Sequence, residues 1–131
     1  MKIIHVSGKR KRAIARATLK SGKGNIKINK IPLEVFQPET ARLKITEPLI
    51  LAMNQAKKVD IDINVFGGGV ASQVEASRLV IGKALSKFDS KLEPIFTGYD
   101  KHLLVADVRR KETSKPNCHG KARAKKQKSY R

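Results

Sequence analysis

Acidic residues are missing from positions 1–30 of this chain, and only Glu112 stands among positions 109–131. Solvated surfaces ordinarily mix both signs, so neither end reads as a plain solvated face. Cysteine occurs once, at Cys118, which excludes an intramolecular disulfide and fits a reducing compartment. There is no Trp and aromatics make up 5%, so any core must be aliphatic. No apolar run approaches the roughly 18 residues of a membrane-spanning helix. The opening MKIIHVSGKRKR places a short apolar patch before its charges, the wrong order and length for a signal peptide, and a cytoplasmic protein is expected. His5, His102 and His119 are far apart, and neither CxxC nor HxxxH occurs, which argues against zinc or another metal. GxxxxGK[ST] and GxGxxG are absent too, so no nucleotide cofactor is expected. Cys118-His119 offers a nucleophile beside a base, but without a rigid support or an orienting third group, and the chain is not read as an enzyme.

What is present is a charge map. The net charge is +18, with ten Lys or Arg and no acid in residues 1–30, and ten against one in residues 109–131. Residues 31–108 hold nine basic and ten acidic side chains, so a near-neutral body carries two cationic ends. Repulsion of that size disfavours a compact free protein, and a polyanion would relieve it. The hydrophobic fraction of 40% in 131 residues supports one modest core. After Val108 the only aliphatic side chains are Ala122 and Ala124, too few to offset the entropy of ordering. Residues 1–112 therefore read as a globular body and 113–131 as an extended basic tail.

Along the body, Lys2–Val6 predicts a short strand that Gly8 breaks. From Arg12 the sequence alternates, with Ala13, Ala15, Ala17 and Leu19 inward and Arg12, Ile14, Arg16, Thr18 and Lys20 outward. A Ser21–Gly24 turn and a return over Asn25–Ile31, with Ile26 and Ile28 inward and Lys27 and Asn29 outward, predict a hairpin. Pro32–Phe36 predicts a helical turn. Glu39 or Thr40 opens a helix to Met53 or Ala56 that uses Leu43, Leu49, Ile50 and Met53, with Pro48 as a kink. Val59–Phe66 alternates as a strand, leaving Asp60 and Asp62 on its wet side. Gly67-Gly68-Gly69 then leads into the main helix, Val70–Phe88, with a stripe of Val70, Val74, Ser77, Ile81, Leu85 and Phe88. Ala71, Ala76, Gly82 and Ala84 would let that helix lie close to a sheet. A glycine turn at a helix N-terminus is also a ready anion site. Over Leu92–Leu104 a helix using Ile95, Phe96, Tyr99 and Leu103 competes with the interruption at Gly98, and Leu103–Val108 turns β-like.

Gly8-Lys9-Arg10-Lys11-Arg12-Ala13-Ile14-Ala15-Arg16-Ala17 resembles the opening motif of the ninth protein of the small ribosomal subunit, the S-nine family. The resemblance continues through Gly22-Lys23-Gly24 with Ile26, Ile28 and Asn29, Pro32-Leu33-Glu34, Gly67-Gly68-Gly69 with Gln73 and Ala76, and Tyr99-Asp100 with Leu103–Asp107. It closes on Arg109, Arg110, Glu112, Lys115, Gly120, Ala122, Arg123 and Gln127-Lys128-Ser129-Tyr130-Arg131. It covers essentially the whole chain, and the order of the elements is far more specific than any one of them. The ending resembles the archaeal and eukaryotic branch. Bacterial members usually have an aromatic where Lys128 stands and Lys where Tyr130 stands. The chain lacks the longer insertion before Tyr99 typical of eukaryotic members, which points to an archaeal type.

The resemblance implies an α+β body of the ribosomal S-five domain-two type, a mostly antiparallel sheet backed by helices with a left-handed βαβ crossover, plus the extended tail. It implies docking on ribosomal RNA in the head of the small subunit, beside other head proteins, with the tail threading toward peptidyl-site transfer RNA. The residues expected on ribosomal RNA are Lys9, Arg10, Lys11, Arg12, Arg16, Lys20, Arg109, Arg110, Lys115, Lys121, Arg123, Lys125 and Lys126. Those expected on transfer RNA are Lys128, Ser129, Tyr130 and Arg131, where the guanidinium fork can hold phosphate and Tyr130 can stack on a base. A generic basic nucleic-acid binder or RNA chaperone predicts the same charge map, differing in its lack of a fixed location. A small kinase sharing the body fold would need a Ser-Ser-Ala-type loop that Gly67–Ser72 does not provide.

Overall fold

The computed structural model describes residues 3–118 and 120–123. Its central ladder grows from the alternating run. β2 (Ala13–Ser21) buries Ala13, Ala15, Ala17 and Leu19 and turns Arg16 and Lys20 to solvent, because successive side chains of a strand point to opposite faces. β1 (Ile4–Arg10) pairs with it antiparallel, Arg10 opposite Ala13. The link between them is therefore only Lys11 and Arg12, with Lys11 in the left-handed region at φ 53°. β1 runs straight through Gly8, where a break was predicted. Gly8 serves close approach instead: a Cβ there would stand 2.8 Å from Val80 Cγ1 and 2.9 Å from Leu79 Cδ2. The predicted strand start at Lys2 lies outside the described residues.

β5 (Val59–Phe66) buries Val59, Ile61, Ile63 and Val65, as its alternation predicts. It takes the other edge of β2, antiparallel, from Ser21 opposite Val59 to Ile14 opposite Phe66. The predicted hairpin between β2 and the following strand therefore does not form. β3 (Ile26–Ile28) lies beyond β5 and parallel to it, and β4 (Ile31–Pro32) closes that edge, giving the order β1-β2-β5-β3-β4. The eight residues of β5 satisfy far more of the β2 edge than the three of β3 could. Two side chains fix the arrangement. The Asp60 carboxylate accepts the N–H of Asn25 at 2.8 Å and of Lys23 at 2.9 Å, and these donors hold it below its usual pKa. Asn29, expected to face outward, exchanges two hydrogen bonds with the Val65 backbone at 2.8 and 3.1 Å.

α3 (Val70–Phe88) has the predicted bounds and buries Val74, Ser77, Ile81 and Leu85, while Val70 at its start is exposed. Each fully buried aliphatic contributes about 1.5–3 kcal/mol. Ala76 and Ala84, both wholly buried, let the helix lie against β1 and β2, whereas Ala71 is exposed. α1 (Glu39–Leu51) passes through Pro48 and is followed by the short α2 (Met53–Ala56). Its buried side is Ala41, Ile45 and Pro48, spaced four and three residues apart, and it packs on α3. The predicted stripe is thus on the wrong side: Leu43, Ile50 and Met53 are exposed and Leu49 half-buried. α4 (Leu92–Tyr99) accommodates Gly98 and buries Leu92 and Phe96, leaving Ile95 and Tyr99 outside. 3-10 turns at Leu33–Val35 and Lys101–Leu103 complete the body. Leu103–Val108 forms no strand, and Val105 and Val108 are exposed. The class is α+β, with a mixed, mostly antiparallel five-stranded sheet backed by helices.

Candidate nucleic-acid interface

Two cationic stretches that are distant in sequence meet at one end of the sheet. The turn after β5 folds over the β1–β2 tip, and its first two residues must be glycine. Gly67 and Gly68 have φ of 76° and 64°, and a Cβ would stand 2.7 Å from the Arg12 carbonyl oxygen and 2.9 Å from the Ala13 nitrogen, respectively. Gln73 Nε2 donates to the Gly67 carbonyl at 3.0 Å and steadies the turn. Gly69 then caps α3 with open space where a side chain would be.

The first N–H groups of a helix have no acceptor within it, and their dipoles add to a partial positive charge. At α3 neither a capping side chain nor an acid in the first turn neutralises this end. It opens into a cleft of about 810 Å³ between the hairpin tip and residues 109–114. Lys9, Lys11, Arg12, Arg109, Arg110 and Lys111 line that cleft, against the one carboxylate of Glu112. Such a site suits phosphate: backbone donors at its floor, forked guanidinium groups and ammonium point charges around it. Lys111 was not singled out in the sequence, although it continues the basic run of Arg109 and Arg110.

Arg10 belongs to the same stretch but points inward. Its side chain is 11% exposed; it pairs with Glu75 of α3 and with Asp107 at 3.3 Å, and it donates to the Arg109 carbonyl at 3.2 Å. Asp107 also accepts the Arg109 guanidinium at 2.8 Å and the Arg109 N–H at 2.9 Å. Those Arg109 bonds first, and the Arg10 charge after them, hold the Asp107 carboxyl far below its usual range. Arg10 is thereby the clamp that fixes where the C-terminal segment leaves the body. Next to it, Arg78 joins Glu47 of α1 to Asp100, so one charged seam ties β1, α1, α3 and the chain after α4.

Residues 8–131 match the family described as ribosomal protein S9/S16. The chain belongs to that ribosomal protein family. A protein of Methanococcus maripaludis strain C7, named small ribosomal subunit protein uS9, is 50% identical over 134 residues, covering 100% of both chains. Proteins of the same name from Methanococcus vannielii and Methanothrix thermoacetophila are 48% and 47% identical, again over 100% of both chains. These relatives are archaeal, in line with the branch that the chain's ending resembles.

In this S9-family chain the remaining residues expected on RNA fall into three groups. Arg16 and Lys20 lie on the open face of the sheet, where β5 supplies the acids that the first thirty residues lack. Lys20 stands opposite Asp60 in the ladder, and the Arg16 guanidinium sits 5.6 Å from the centre of the Phe66 ring. That face is mixed in sign, unlike the hairpin tip. Lys115 and Arg123 are brought together by Glu112, at 2.9 and 3.1 Å, and the Lys115 N–H donates to the Lys121 carbonyl at 2.9 Å. The root of the tail thus doubles back on itself before residue 124. Lys125, Lys126, Lys128, Ser129, Tyr130 and Arg131 lie outside the described residues, as does His119 of the Cys118-His119 pair. Among the described residues no cluster of His, Cys, Asp or Glu is placed to hold a metal ion.

Proposed function

We propose that the chain is a non-enzymatic component of the small ribosomal subunit that seats ribosomal RNA backbone in the cleft between the hairpin tip and the root of its tail. The observation that carries this reading is the charge of the cleft, six cations to one carboxylate among the described residues, around a helix N-terminus without a side-chain cap. Lys9, Lys11, Arg12 and Arg110 make the principal phosphate contacts, and Arg109, whose guanidinium Asp107 also holds, adds a weaker one. Lys20 adds less, standing opposite Asp60, Arg16 adds a contact from the open face of the sheet beside Phe66, and Arg10 acts by holding Asp107 and the Arg109 backbone. Lys115, Lys121, Arg123, Lys125 and Lys126 continue the RNA contact along the tail, residues 113–131. Lys128, Ser129, Tyr130 and Arg131 reach the anticodon stem-loop of peptidyl-site transfer RNA. The body, residues 1–112, is of the S-five domain-two type, docked in the subunit head beside other head proteins. In that fold the parallel β3–α1–β5 connection is its left-handed crossover.

The test is salt-titrated binding to small-subunit ribosomal RNA. Each phosphate neutralised contributes about 0.7 to 0.9 to the slope of log affinity against log salt. Half of the twenty terminal Lys and Arg then give a slope on the order of −7 to −9. A slope near −2 would leave too few phosphate contacts for this reading.

A further inference from the structure

The opposite end of the sheet carries a second surface of a different kind. Between α1, α2 and the β3–β4 edge lies a groove of about 840 Å³. Its apolar lining is Ile26, Leu33, Leu49, Ile50 and Met53, and Ile50 and Met53 are 60% and 54% exposed. Leu49, Ile50 and Met53 are side chains whose spacing predicts core; Leu49 stays half-buried, and Ile50 and Met53 are left outside. Contiguous exposed apolar surface rimmed by polar residues marks an interaction site. The rim is selective in sign: among the described residues, Lys23, Lys27, Arg42 and Lys57 surround the apolar floor against Glu34.

We infer that this groove receives a segment of a neighbouring protein that presents aliphatic side chains flanked by Asp or Glu. Charge complementarity requires an acidic partner. The floor argues that the partner is not nucleic acid. Single-stranded bases are held by aromatic platforms, and among the described residues no aromatic one lines this groove. A phosphate backbone has nothing to place against Leu49, Ile50 and Met53. The flexible thioether of Met53 suits adaptation to a partner's side chains. The contact is through side chains rather than added strand pairing, because the edge strand β4 is two residues long and one of them is Pro32. This inference rests on assembly into the small subunit and adds which face meets protein rather than RNA.

The experiment places a photo-crosslinking benzoylphenylalanine at Ile50 of the full chain and irradiates purified small subunits in which its occupancy has been measured. The expected product is a crosslink to another subunit protein, mapped by peptide sequencing to a segment with Asp or Glu beside aliphatic residues. Lys23→Glu with Lys57→Glu in the same chain should reduce that crosslink several-fold. A crosslink to RNA, to this chain's own tail, or to nothing at full occupancy overturns the proposal, as does a yield indifferent to the two charge reversals. Met53, 54% exposed, should be oxidised by peroxide in the free protein and protected in unsubstituted subunits; equal oxidation in both overturns the proposal without any variant. Failure of the unsubstituted chain to enter subunits would instead remove the assembly reading.

Discussion

The two ends of β2 and β5 carry opposite solutions to the same problem of an unfinished surface. At the Ala13 and Phe66 end, glycines, backbone N–H groups and six cations make a site that, among the described residues, no aliphatic or aromatic residue lines. At the Ser21 and Val59 end, aliphatic side chains form the floor and the cations stand back on the rim. Seven residue steps separate the ends, roughly 23 Å at about 3.3 Å per residue. One partner can therefore engage either end without touching the other. The difference shows why net charge alone is a poor guide to what a surface binds. Both ends are cationic, and only the groups beneath the charges distinguish a phosphate seat from a protein groove.

The largest expected effect separates the ends directly. Lys11→Glu with Arg12→Glu should weaken binding to small-subunit ribosomal RNA roughly fiftyfold at 0.1 M salt, as the loss of about two phosphate contacts implies. Ile50→Asp with Met53→Asp should leave that affinity unchanged. Filter binding across a salt series checks both, and equal losses from the two double variants would erase the distinction.

The next effect concerns the tail tip. Deleting Ser129–Arg131 should leave subunits assembled and weaken peptidyl-site transfer RNA about tenfold, about 1.4 kcal/mol. The measurement is transfer-RNA binding to purified subunits at matched occupancy. Unchanged affinity would make the tail a strap for assembly alone.

A smaller effect has the opposite sign. Among the described residues Glu112 is the one carboxylate in the cationic cleft, and it holds Lys115 and Arg123. Glu112→Gln should strengthen RNA binding by roughly two- to fivefold, the range expected for one exposed charge. Weaker binding on isothermal titration would show that the doubled-back root is the form that RNA selects.

The smallest effect is on the body's response to acid. Asp107 is held below its ordinary value of 3.8 by Arg109 and Arg10, so the unfolded chain takes up this proton first as pH falls. Asp100 is pushed upward by burial, but the His102 N–H and Arg78 outweigh that and lower it. Both contributions are complete above 3.8 and are lost as pH falls toward the folded-state values. Asp107→Asn should flatten the dependence of melting temperature on pH below about 4 and leave the apolar groove intact. A wild-type melting temperature that does not vary between pH 5 and about 2 would remove the clamp from the stability of the body.

Local pattern determined a good deal of this protein. The period-two run Val59–Phe66 and the long 3.6-residue stripe of Val70–Phe88 specified β5 and α3 to the residue, because each buries one face whatever it packs against. The basic hairpin tip and the tail root were legible as charge, and the order of the motifs pointed to the family. Tertiary structure decided which segments became neighbours, since pairing depends on chain brought in from far along the sequence. β5 separated β2 from β3 and set Asp60 opposite Lys20, turning an apparently all-cationic face into a mixed one. Asp107, on the far side of the body in sequence, drew Arg10 out of the cationic cluster and into the ionic seam. The docking of α1 on α3 through Ala41, Ile45 and Pro48 left Leu43 and Ile50 in solvent, because a helix has one buried side and the packing partner chooses it.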